Sequence, residues 1–323
     1  MLITACEEFG PPQSLKRIEV EQPVPRPGEA LIKISAAGVG FVDGLMVQGL
    51  YQVKPALPYY PGSEFSGIVQ QVNGEHERIQ VGDRVMGMAG GGTYADYVCV
   101  SADHLIKLNE RLDDQIAAGF FVNYATALYG FRDCGSLQAG ETVLVLGAAG
   151  GVGSAAICVA KAMGARVIAA ASSDAKRQAA LSFGADAAVD YTADNWRDEL
   201  KACTPDGLDV VYDPVGGAMA EPAFRSLAPG GRFLVVGFAS GTIPKIALNL
   251  ALLKRSAIVG VDWGGEYRAN PSINESLMNI LLEWIEQGKL VCAPVATRSM
   301  AEVRAALTDQ LAGQIVGKLV LVN

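Results

Sequence analysis

Residues 142–164 read TVLVLGAAGGVGSAAICVAKAMG. A β-branched run leads into a knot of glycines, and a long small-residue segment follows. Thr142–Leu146 has the composition of a buried strand. The segment after the glycines reads as a helix closed by Gly164. Between them Ala148, Ala149, Gly150, Gly151, Val152 and Gly153 form a G-x-G-x-x-G variant with alanine in first place. The first position turns the chain off the strand, Gly150 lets main chain approach a pyrophosphate, and Gly153 lets the helix pack on the strand. A helix start also offers unpaired N–H groups and a positive dipole end to phosphate. The pattern says little alone, but a strand before it, a helix after it and a second strand at 165–171 supply its context. It lacks the Lys-Ser/Thr ending of a P-loop. The uncharged run is long enough to raise a membrane span, but its central glycines favour strand, loop and helix.

The rest of the chain changes texture around this stretch. Eight of the fifteen prolines precede Gly62 and none lies between Gly62 and Thr204. Residues 1–122 therefore read as short strands and turns, with EALIKISAAGVG, SGIVQQV and VGDRVMGMAGGGTYADYVCV as strand-bearing segments. From Asn123, strand and helix alternate: ETVLVLG, ARVIAAA, DAAVDY, DVVYDPV, RFLVVGF and AIVGVDW read as strands. Valine- and isoleucine-rich runs separated by helices indicate a doubly wound parallel sheet, an α/β fold. NESLMNILLEWIEQG reads as an amphipathic helix. The C-terminal segment reads as a helix and a strand that returns to the first domain. The expected division is 1–122 with 267–323, and 123–266 as the nucleotide domain.

The dinucleotide is read at the end of the second strand. An acidic residue there would bond the ribose 2′-hydroxyl of NAD. Here the strand ends Ala170, Ala171, Ser172, Ser173. Asp174 comes late and suits a helix-start carboxylate. Lys176 lies one turn further. Two hydroxyls and an ammonium suit a 2′-phosphate, which favours NADPH as the cofactor.

Composition excludes other classes. The formal net charge is −8 and no Lys/Arg run is present, so no nucleic-acid partner is expected. Six cysteines form no C-x-x-C pair and only two histidines exist, so no metal site is expected. Isolated thiols suit a cytoplasmic protein. The start MLITACEEFG is no signal peptide, and no membrane partner is expected.

The order of pieces resembles the medium-chain dehydrogenases/reductases. It is similar to their zinc-free quinone oxidoreductase (zeta-crystallin-like) branch. The resemblance is carried by YYPGSEFSGIV (59–69), VGDRV (81–85), GGGTYADYV (90–98), AGETVLVLGAAGGVG (139–153), FGADAAVDY (183–191) and the final GKLVLVN. It implies a Rossmann domain plus a β-rich GroES-like catalytic domain. Zinc-dependent relatives carry a metal-binding Cys after AGV and a His in GHE, and those positions are Gly40 and Ser63 here. The resemblance places the 2′-phosphate at Ser173, Lys176 and Tyr191, the nicotinamide side at Thr126, and the pyrophosphate at Ala149, Gly150, Gly151 and Val152. Val215 and Phe238 fall at strand ends, where open α/β sheets bind ligands, though both also suit plain core. Lys318 matches a family lysine counted with the cofactor residues. Where related reductases read NFxDxYxRxGxY, this chain has GFVDGLMVQGLY (40–51). Gly40, Leu45 and Val47 replace Asn, Tyr and Arg, which implies a roomier, more apolar pocket.

The implied reaction is hydride transfer from NADPH to a quinone or an α,β-unsaturated carbonyl. Without a metal, hydrogen-bond donors must meet the developing oxyanion. Tyr51 and Tyr124 are the candidate catalytic donors, while Asp43 reads as a cap on the turn after it. Enoyl-thioester reduction and a non-catalytic NADPH-binding role are the alternatives. AIVGVDW, apolar on both faces, reads as an open edge strand through which a homodimer would form.

Overall fold

The proline-rich first third folds into strands: β1 (Leu2–Ala5), β2 (Lys16–Glu19), β3 (Glu29–Gly38), β4 (Glu64–Val72), β5 (Arg84–Met88), β6 (Tyr97–Ser101) and β7 (Ile106–Lys107). Helix α1 (Phe41–Val47) follows β3, and α2 (Asp114–Ala118) and α3 (Phe121–Tyr129) follow β7. The computed structural model describes all residues, Met1–Asn323. They divide into two compact units, Met1–Val122 with Pro294–Asn323, and Asn123–Ala293.

The second unit is built on β8 (Thr142–Leu146), β9 (Arg166–Ala171), β10 (Ala187–Asp190), β11 (Leu208–Asp213), β12 (Leu227–Val235) and β13 (Ala257–Gly260). All pair in parallel, in the order β10-β9-β8-β11-β12-β13. Numbered within the unit this is 3-2-1-4-5-6, the doubly wound dinucleotide order, and it reverses between β8 and β11. Helices α4 (Gly151–Ala162), α5 (Asp174–Ser182), α6 (Trp196–Cys203), α7 (Ala220–Arg225), α8 (Leu248–Lys254), α9 (Trp263–Ala269) and α10 (Ser272–Glu286) belong to this unit. Every residue of Val143–Leu146 and Val167–Ala171 is buried, as a strand covered on both faces requires. Leu144, Leu146, Ile168, Phe224 and Phe233 share one core cluster.

The chain then returns to the first unit with β14 (Val295–Ser299), α11 (Val303–Leu311) and β15 (Lys318–Val322). β15 pairs antiparallel with β3, so the last strand closes the first sheet, in the order β14-β15-β3-β4-β5-β7 with β6 also on β3. Ile32, Ile34, Phe65, Val69, Leu319 and Leu321 pack in its core.

Two expectations differ from the structure. Residues 267–293 belong to the second unit, not the first. Helix α10 buries Leu277, Met278 and Leu281 there, and the Ala293 N–H donates to the Tyr124 hydroxyl at 2.9 Å. The strand read as AIVGVDW ends at Gly260, and Trp263 opens α9 under the Asp262 cap.

The junction of β8 and α4 has no room for a side chain at two of its glycines. Gly147 sits at φ +58°, and a Cβ there would lie 2.7 Å from Val215. A Cβ on Gly153 would lie 2.3 Å from the Gly147 carbonyl oxygen. At Gly150 a Cβ would meet only that same oxygen, at 3.5 Å. Gly153→Ala is therefore expected to lower stability by about 1–3 kcal/mol through overpacking, and Gly150→Ala to change it by less than about 0.5 kcal/mol. Urea unfolding of the two variants checks the contrast.

Candidate active site

The glycine loop leaves the C-terminal end of β8, beside the point where the strand order reverses. Gly150 is the N-cap of α4 and has no side chain to cap it. The first amides of a helix lack partners within the helix, so an anion can take them. Gly150, Gly151 and Val152 are half-buried, whereas Ala149 is buried and serves the packing of the loop. Open space over Gly150 is a cradle that a side chain would partly fill. Protein packing does not demand glycine there, and a dinucleotide pyrophosphate fits it.

The neighbouring strand ends complete two clusters. Val215 follows β11 and stands next to Gly147, while Phe238 follows β12 and stands within 3.0 Å of where a Gly216 side chain would begin. The Asp213 carboxylate fixes this turn by accepting the N–H groups of Val215 and Gly216, both at 2.8 Å. Burial pushes its pKa up and these two N–H groups hold it down. At the second cluster, Asp190 pairs with Ala171, which brings Tyr191 alongside Ser172. The Ser173 hydroxyl accepts the Lys176 N–H at 3.4 Å and caps α5. Arg177 joins this cluster. Its guanidinium meets Asp190 at 2.6 Å and Asp174 at 3.7 Å. Neither Arg177 nor Asp213 was among the candidate residues. The adjacent Lys-Arg pair was a visible signal for the first, but only the fold shows what Asp213 holds.

Three further candidates lie on other elements. Thr126, on α3, is half-buried. Tyr124, a candidate catalytic donor, is buried in the second unit, its hydroxyl holding the Ala293 N–H. Burial pushes its pKa up, with the Cys158 and Cys292 thiols beside it adding to the rise. The phenol is committed to the interior, so the structure removes it as a donor to substrate. Lys318 belongs to the first unit, is 7% exposed, and its ammonium bonds the Glu64 carboxylate at 2.5 Å. Glu64 also accepts the Val122 N–H at 3.1 Å. Lys318 is thus half of a buried ion pair, not a cation free for phosphate.

The first unit carries Tyr51, half-buried four residues past α1. It also shows what stands where zinc-dependent relatives bind metal. The Gly40 N–H and the Ser63 hydroxyl donate to the two oxygens of Asp43, at 2.8 and 2.9 Å. No three His, Cys, Asp or Glu side chains converge anywhere in the chain. Zinc does not fit this donor set. The six cysteines form no disulfide, and no helix is long and apolar enough to cross a membrane.

Residues 26–110 match the alcohol dehydrogenase GroES-like domain, and residues 151–281 match the zinc-binding dehydrogenase family. A quinone oxidoreductase-like protein 2 of Bos taurus is 35% identical over 95% of this chain and 90% of its own length. The chain belongs to the zinc-free quinone oxidoreductases of the medium-chain dehydrogenase/reductase superfamily. Within that family, the Escherichia coli quinone oxidoreductase solved with NADPH superposes with a TM-score of 0.90, at 26% identity, over all of both chains. The CurK enoyl reductase superposes with a TM-score of 0.89, at 26% identity, over 99% of this chain and 98% of its own.

Breaking a buried pair costs more than removing both partners. Lys318→Met is expected to lower unfolding free energy by about 3–5 kcal/mol, and adding Glu64→Gln to recover much of that loss. Denaturant titration of the single and double variants measures both.

Proposed function

We propose that this protein is an NADPH-dependent oxidoreductase that delivers hydride to a quinone or an α,β-unsaturated carbonyl. The observation that carries the reading is the bare start of α4 together with Ser173 and Lys176 at the start of α5 and Tyr191 just past β10. The first would hold a pyrophosphate through backbone N–H groups, the second a 2′-phosphate through hydroxyls and an ammonium. The NADPH-bound relative supports the same choice. When bound, NADPH supplies a hydride at its nicotinamide ring.

The chain's own residues bind and orient. Gly150–Val152 receive phosphate on main-chain N–H groups, and Asp213 holds the turn carrying Val215 in place. As charge develops on the acceptor oxygen, a hydrogen-bond donor must meet it. With Tyr124 buried, Tyr51 is the remaining candidate, and it or solvent returns the proton. The enoyl reductase neighbour supports a second reading, reduction of an enoyl thioester by the same hydride chemistry.

Steady-state NADPH oxidation with quinones, enones and enoyl-CoA separates these readings. Turnover with the first two supports the proposal, turnover with enoyl-CoA alone supports the second, and tight NADPH binding without any turnover contradicts both. Lys176→Ala is expected to weaken NADPH about tenfold, the loss of one charge-assisted contact, and to leave NADH unchanged. Gly150→Ala is expected to weaken both nucleotides alike.

We also infer a homodimer through the open edge of the second sheet. β13 pairs only with β12 and exposes Ile258. Helix α8, which ends two residues before β13, exposes Leu248, Leu252 and Leu253 by 80%, 78% and 74%. An unpaired apolar edge beside such a face invites a second copy. Sedimentation is expected to show a dimer, and a monomer for Leu252→Glu/Leu253→Glu. A wild-type monomer at all concentrations would contradict this.

A further inference from the structure

The first unit gathers three segments on one carboxylate. Asp43 is fully buried at the third position of α1. Its Oδ2 accepts the Gly40 N–H at 2.8 Å and the Tyr94 hydroxyl at 2.9 Å, and its Oδ1 accepts the Ser63 hydroxyl at 2.9 Å. The Tyr94 hydroxyl also lies 3.3 Å from the Gly38 carbonyl oxygen, at the end of β3. Gly40 begins α1, Ser63 begins the approach to β4, and Tyr94 lies before β6. Three donors on two oxygens leave no polar hydrogen stranded. Burial pushes the carboxyl pKa up, and the bonds from Tyr94 and Gly40, the Lys318 charge and the Ser63 bond pull it down.

Gly40 and Ser63 are the two positions that hold metal ligands in zinc-dependent relatives. A metal bound to both would tie the start of this helix to the start of this strand. Here the Asp43 side chain makes that tie through hydrogen bonds alone. A neighbouring face of α1 rests on α11, where a Gly44 side chain would begin 2.9 Å from Leu311. The helix is thus held by packing and by Asp43. Segment 40–51, which ends in Tyr51, is set at its start by these two holds, and at the end of α1 the Gly10 N–H donates to the Val47 carbonyl oxygen at 3.1 Å while Phe9 closes on Gly49.

We propose that Asp43 is the positioning residue for the acceptor: its hydrogen bonds to Gly40, Ser63 and Tyr94 set segment 40–51 and so aim Tyr51. It does not touch the reacting atoms. The proposal rests on the hydride-transfer reading for its kinetic consequence, but not for its structural one.

Two variants distinguish hydrogen bonding from packing. Asp43→Asn keeps an oxygen for Gly40 and Tyr94, and its amide can donate to Ser63 once that hydroxyl rotates. Asp43→Leu fills the space, leaves the Gly40 N–H and the Ser63 hydroxyl without their acceptor, and leaves Tyr94 only the Gly38 carbonyl oxygen. Hydrogen exchange is expected to quicken about tenfold or more at the amides of 41–51 in the Leu variant, and less than about threefold in the Asn variant, with the second unit unchanged in both. Ser63→Ala, which cuts one tie and removes no buried charge, is expected to fall between them. In turnover, the Leu variant is expected to raise the acceptor KM about tenfold with kcat within about threefold and NADPH affinity unchanged, and the Asn variant to restore KM. Equal exchange in wild type and the Leu variant, or equal loss in the Asn and Leu variants, overturns the proposal. If the wild-type protein turns over no acceptor, the hydride-transfer reading fails, and the exchange pattern alone decides the role of Asp43.

Discussion

A carbonyl oxygen of Gly147 faces the Cα of Gly153 so closely that a methyl group between them would sit 2.3 Å from the oxygen. That contact seats the first turn of α4 on the end of β8. From it follow the exposed helix start, the empty space over Gly150, and the proximity of Val215 and Phe238 on the far side of the strand-order reversal. Parallel pairing then does the rest in this unit. The register Asp190–Ala171 sets Tyr191 beside the serines without any contact written into the local sequence.

The first unit meets a different constraint, the cost of burying charge. Asp43, Glu64 and Lys318 are all buried, and each has partners that make burial tolerable. This explains how a sheet of the dehydrogenase type keeps its shape with glycine and serine where relatives place metal ligands. Hydrogen-bond donors hold the geometry there, and in the proposed reaction the hydride comes from the bound nucleotide.

Much of this was legible before the structure. The glycine loop, the alternation of strand and helix, and the end of α4 at Gly164 are local properties, set by backbone sterics and burial period. The missing Cys and His at 40 and 63 were equally plain. Illegible features depended on distant pairings. Tyr124 looked like a free hydroxyl until Ala293, 169 residues away, was found bonded to it. Lys318 was counted with the cofactor residues until Glu64 was found beside it. Helix α10 gave its amphipathic period but not its partner, so its unit was misassigned. Asp43 was expected to cap the turn after it, whereas its carboxylate takes the Gly40 N–H before it, and its reach to Ser63 and Tyr94 needed the sheet. Strand β14 passed unread because its exposed residues lack a hydrophobic period.

The central claim is direct hydride transfer from a nicotinamide dinucleotide whose pyrophosphate rests on the start of α4. It is tested by supplying NADPH deuterated on one or the other face of the nicotinamide C4, with an enone or quinone acceptor, and weighing the NADP⁺ produced. The account predicts that deuterium leaves completely from one labelled form and stays completely in the other, one equivalent of acceptor being reduced per nucleotide. Equal loss from both forms, or nucleotide oxidation that proceeds without the acceptor, would contradict it.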